Sequence, residues 1–202
     1  SRSENMMLVE KTTVEATALP VAQFREHLRL GSGFSDDGLQ DGILEIYLRA
    51  AMAAIEARTQ KVLLERELVW TVRDWRDGVE KALPVAPVSA ISEVKRVARD
   101  GAETSLSAGE WQFIPDQHRA LLVGSLPHIP QGASLRISFL AGYGPEWSDV
   151  PPDLGQAVLL LAAHYYEFRH DMAASGGAMP HGVQALIERY RTVRLFLGRA
   201  RA

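Results

Sequence analysis

The chain has 202 residues, 47% hydrophobic and 23% charged, with a net charge of -3 at pH 7. That length suits one domain with a decent core, or one domain carrying an inserted subdomain, and the composition excludes a disordered or low-complexity chain. The lack of cysteine excludes disulfides, thiolate metal sites and a cysteine nucleophile, and the mild acidity offers no global attraction to nucleic acid or anionic membrane.

In chain order, the N-terminal SRSENMMLVEK lacks the apolar region of a signal peptide, and no apolar run reaches the ~20 residues of a membrane span, so export is not expected. Residues 8–19 read as extended or loose. Pro20 opens a short helix from Val21 to Leu30, closed by Gly31-Ser32-Gly33. Ser35, Asp36 and Asp37 cap a long second helix toward Gln60, with Leu39, Ile43, Tyr47, Ala50, Ala54 and Ile55 as its apolar face.

From about Leu63 the apolar period becomes two. Leu68, Trp70 and Val72 alternate with Val69, Thr71 and Arg73, and Leu135, Ile137 and Phe139 alternate with Ser134, Arg136 and Ser138. Shorter strands are expected over Val94 to Ala98, Trp111 to Ile114 and Leu121 to Val123, with turns at Asp100-Gly101 and Pro115-Asp116. The reading is an antiparallel, half-buried β module.

A Gly/Tyr/Pro-rich turn then leads through Val150-Pro151-Pro152-Asp153 into a helix running to Arg169. Leu154, Val158, Leu161, Tyr165 and Phe168 share one face of it, and Leu159, Leu160, Ala162 and Ala163 fill most of the rest. A helix apolar nearly all round is buried on several sides, at a central bundle position or a subunit interface. The Gly/Ala-rich stretch 171–182 reads as a mobile hinge before a last helix from Gly182 to Leu197.

Motifs for chemistry are weak. His164, Glu167, His170 and Asp171 lie at helical spacing, and Glu167-x-x-His170 matches half of a di-iron bundle motif, but no second such motif exists, so the polar end of a helix explains them better than a metal site. There is no nucleophile elbow, zinc-protease helix or P-loop. The prolines after Gly142-Tyr143-Gly144 cannot donate N–H groups to a phosphate. Basic residues are not clustered around Trp70, Trp75, Trp111 and Trp147 as a single-strand groove would need, and the four read as core or interface packing groups. Five arginines in the last fourteen residues, Arg189, Arg191, Arg194, Arg199 and Arg201, flank Leu195 and Phe196 as either a solvated helix end or a docking arm.

The order of these elements resembles phage head-to-tail connector (adaptor) proteins. The resemblance rests on LPVAQFREHLRL, DDGLQDGILEIYLRAAMAAIEARTQ, LPVAPVSAISEV, ASLRISFLAGYG and VPPDLGQAVLLLAAHYYEFRH, and the ending MPHGVQALIERYRTVRL looks like the adaptor of alphaproteobacterial gene transfer agents. The expected fold is α+β, one domain over 1–202: N-terminal helices (18–62), an inserted β module (63–141), a central helix (151–170) and a hinged C-terminal docking helix or arm (182–202).

The resemblance implies a structural neck protein, not an enzyme and without cofactor or metal, assembled in the bacterial cytoplasm. It implies a ring of its own copies, expected to be a dodecamer, joining the portal protein to a stopper or other tail-side neck protein, with double-stranded DNA passing through the lumen and no membrane partner. Portal docking falls to Arg189, Arg191, Arg194, Leu195, Phe196, Arg199 and Arg201. Subunit packing falls to Tyr143, Leu154, Val158, Leu161, Tyr165 and Phe168. The alternatives are another virion or DNA-binding interaction module, or a helical metal-dependent enzyme.

Overall fold

The computed structural model describes residues 6–29, 37–73, 80–124, 129–168 and 179–191. The chain alternates between a helical core and a β core, each with its own cluster of buried side chains.

The strands are β1 (Met6–Glu10), β2 (Arg66–Val72), β3 (Glu80–Ala82), β4 (Val88–Val97), β5 (Glu103–Ser105), β6 (Gln112–Ile114), β7 (Leu121–Val123) and β8 (Ser134–Ala141). They form an antiparallel five-stranded sheet in the order β1-β2-β8-β4-β5 and a three-stranded sheet in the order β3-β7-β6. The expected alternation is real where the sheet is central. Leu68, Trp70 and Val72 lie opposite Phe139, Ile137 and Leu135, and all six are buried.

Three strands were not foreseen. β1 occupies part of the stretch read as extended or loose, β3 and β5 have only three residues each, and β4 begins six residues before the expected Val94. Register shifts between Val88 and Ala90 and between Ile91 and Glu93 break the period of two in β4, which hides its first half from a pattern reading.

The helices are α1 (Val21–His27), α2 (Asp37–Thr59), α3 (Pro152–Glu167) and α4 (His181–Ile187), followed by a tight helical turn over Glu188–Tyr190. α3 sits at the centre, packed by α1, α2 and α4, so its all-round apolar character is met inside the chain. The Tyr47 and Tyr166 rings meet edge to face at 5.9 Å where α2 crosses α3.

The phase of α2 differs from expectation. Its buried side is Leu44, Leu48, Ala51, Met52 and Ile55, while Ile43 and Ala50 point outward. A helix with apolar residues on two faces gives periodicity no means of choosing between them.

The two cores meet along residues 60–66. Val62 belongs to the β core and Leu63 and Leu64 to the helical one. The Gly142-Tyr143-Gly144 turn closes this seam: Glu65 N–H donates to the Gly144 carbonyl at 2.8 Å and Tyr143 N–H to the Leu63 carbonyl at 3.2 Å. Gly142 has φ +136, and any Cβ there would collide with the Glu65 backbone, so glycine serves close chain approach here.

Candidate docking surface

The C-terminal element is pinned to the core before it can act as a free arm. Val183 and Ile187, one helical turn apart, bury their side chains in the helical core beside α3. Gln184 Nε2 donates to the Met179 carbonyl at 2.6 Å and holds the entry into α4. Residues 171–178, expected to be a hinge, lie outside the described residues.

A polar cluster fixes the turn after α4. Asp153 stands in the first turn of α3, where the helix dipole favours a carboxylate. Tyr190 Oη donates to Asp153 Oδ1 at 2.6 Å, and Arg189 Nη2 lies 2.6 Å from both Asp153 Oδ2 and Tyr190 Oη. Burial pushes the Tyr143 hydroxyl up to about 12, with the neighbouring Tyr190 and Asp153 adding to the effect. Burial also raises Tyr190, as does its bond to the Asp153 carboxylate.

Of the candidate docking arginines, Arg189 therefore bonds within the chain while keeping 70% of its side chain exposed, and Arg191 bonds Glu188 at 3.0 Å on the surface. Arg194, Leu195, Phe196, Arg199 and Arg201 lie outside the described residues.

Among the candidate packing residues, Leu154, Val158 and Leu161 are wholly buried within the subunit's own helical core. Tyr143 and Tyr165 are half-buried. Phe168, 44% exposed at the end of α3, has its ring 4.7 Å from that of His164.

The other sequence candidates scatter. No group of three His, Asp or Glu side chains is placed to hold a metal among the described residues, and His170 and Asp171 fall outside them. Trp70 is buried in the β core, Trp111 packs against that core, and Trp147 packs against Gly155 of α3. Trp75 is outside the described residues. No helix among the described residues is long and apolar enough to cross a membrane.

Two exposed apolar patches escaped the sequence reading. One is β1, an edge strand presenting Met7, Leu8 and Val9. The other is the outward face of α2, with Ile43 43% and Ile46 65% exposed. The signal for the second lay in the sequence as a second set of apolar positions on the same helix. Exposed apolar patches on a folded chain are candidate interaction surfaces.

No family model matches the sequence, and no curated protein does. Three solved structures are similar over 96% of this chain and 100% of their own. They are a neck of an empty gene transfer agent particle computed with C6 symmetry (52% identity, TM-score 0.85), a virion of a native gene transfer agent particle (52%, 0.82) and a neck of a native particle computed with C12 symmetry (48%, 0.80). The chain belongs to the head-to-tail connector (adaptor) family of gene transfer agents, as a structural protein of the particle neck.

Proposed function

We propose that this protein forms a ring, expected to be a dodecamer, that joins the portal to the tail-side neck protein or stopper and continues the DNA channel. The observation that carries this reading is the full-length similarity, at 48% and 52% identity, to necks computed with twelvefold and sixfold symmetry. The role is architectural rather than catalytic. A net charge of -3 suits a conduit, because a lumen dense in Lys and Arg holds DNA through its phosphates.

Portal docking is assigned to the end of the chain beyond the pinned turn. Since Val183 and Ile187 fill the helical core and Tyr190 holds Asp153, docking is assigned to Arg194, Leu195, Phe196, Arg199 and Arg201 of residues 192–202, helped by Arg191 and the exposed edge of Arg189.

Truncation after Arg191 tests this. The shortened protein is expected to melt like the full chain and to lose co-sedimentation with portal rings. Retention of co-sedimentation at the full-length level overturns the docking assignment. By contrast, removal of α4 as well strips Val183 and Ile187 from the core and is expected to unfold the helical half.

A further inference from the structure

The outward face of α2 is unlike the surface of an ordinary solvated helix. Ile43, Ile46, Ala50, Ala53 and Ala57 are all exposed, and they follow one another at intervals of three, four, three and four residues. That is the heptad spacing of a helix-packing seam, running for about 21 Å at the α-helical rise. A solvated face normally carries charge, and this one carries none between Gly42 and Ala57.

The charges beside the seam are used internally. Arg49 pairs with Glu45 and donates to the Val14 carbonyl, and Glu56 is held by Arg66. The seam is graded in size, with two isoleucines at its N-terminal end and three alanines beyond, so a covering surface can approach most closely along the alanine half.

We propose that this seam is a subunit contact of the ring, covered by the adjacent copy of this chain. The inference rests on the ring reading above. A closed ring of identical chains joins unlike surfaces, so each copy needs a receiving face distinct from the one it presents. Two relatives at 48% and 52% identity occur in necks of twelvefold and sixfold symmetry, which supplies the neighbour. The absence of charge on the seam disfavours DNA phosphate as its occupant, and its apolar side chains favour an apolar protein surface.

The seam alone is narrower than the roughly 800 Å² per partner of a standard stable interface. It therefore forms the centre of a contact completed by other elements in the assembled neck.

The chain has no cysteine, so one introduced thiol reports without background. Ala53→Cys is treated with a maleimide as free protein and in purified particles, and labelling in particles is expected to be slower by roughly tenfold or more, as for a residue in a desolvated interface centre. A benzophenone carried at Arg58→Cys, at the seam's exposed end, is expected to crosslink in particles to a product of twice the chain mass. Ala53→Glu is expected to keep the parent melting temperature and fall out of particle necks, whereas Gln156→Glu on the exposed side of α3 incorporates normally.

Equal labelling of Ala53→Cys in free and assembled protein, or a crosslink only to another neck component, overturns the seam. If electron microscopy of the same particles still shows a ring of this protein beneath the portal, the ring reading stands and the seam alone falls. If no such ring is present, both fall.

Discussion

The helical half and the β half solve the same problem with different materials. The β core is built from large side chains on alternating positions of two paired central strands, Trp70 against Ile137 and Leu68 against Phe139, and its exposed apolar residues lie away from that pair, on the edge strand β1 and at Ile114. The helical core mixes Leu44, Leu48, Leu154 and Leu161 with Ala51, Ala157 and Ala162, and its second helix also carries apolar residues on the outside. The central strands spend their large apolar residues within the subunit. α2 has a surplus, and a surplus on a rigid helix is what assembly uses.

The sharpest way to break the comparison is at the ion pair that joins the halves. Arg66, at the start of β2, bonds both Glu56 oxygens on α2 at 3.1 and 2.6 Å and Glu10 on β1 at 2.9 Å, with only 7% of its side chain exposed. Arg66→Ala strands the Glu56 carboxylate and is expected to cost about 3–5 kcal/mol, read by urea denaturation. Arg66→Lys keeps the charge but loses the two-pronged geometry and is expected to cost less.

A smaller effect confined to the helical half is expected from Tyr190→Phe. Losing the hydroxyl shared by Asp153 and Arg189 is expected to cost about 1–2 kcal/mol in thermal melts.

The smallest effects lie in alkaline pH, and the halves differ in sign. Tyr143, beside the helical core, has its folded value raised from 10.0 to about 12, so its contribution is complete below pH 10 and is lost as pH rises through about 12. Lys61 packs against the turn of the β half, its Nζ donating to the Gln117 carbonyl at 3.2 Å. Burial lowers its value from 10.5, with Asp116 partly opposing, so its contribution is present above pH 10.5 and is lost as pH falls through the lowered folded value. Stability against pH measured in Tyr143→Phe is expected to lose the fall above pH 10. In Lys61→Met it is expected to lose the rise just below 10.5.

What could be read from the sequence follows the same division. Strands β2 and β8 were legible because a period of two with one face buried admits a single phase. β1 was not, because Met7, Leu8 and Val9 are exposed on both faces and their place is set by pairing with β2 far along the chain. The ends of α2 and α3 were close to expectation, and Ile55, Tyr47 and Ala54 face the core as expected, but Ile43 and Ala50 face outward, and with them the candidate seam was missed. The polar pin of Tyr190 on Asp153 spans 37 positions and leaves no local pattern to find.

The path of the backbone between the halves has a mechanical consequence. The chain crosses from one core to the other three times, near residues 11–20, 60–65 and 142–151, and the last two crossings are laced together by hydrogen bonds at 2.8 and 3.2 Å. A single connecting strand makes a pivot, whereas three make a mount. Load applied to either half is shared by three covalent cables, and twisting one half against the other must first unlace the bonds between Leu63 and Tyr143 and between Glu65 and Gly144.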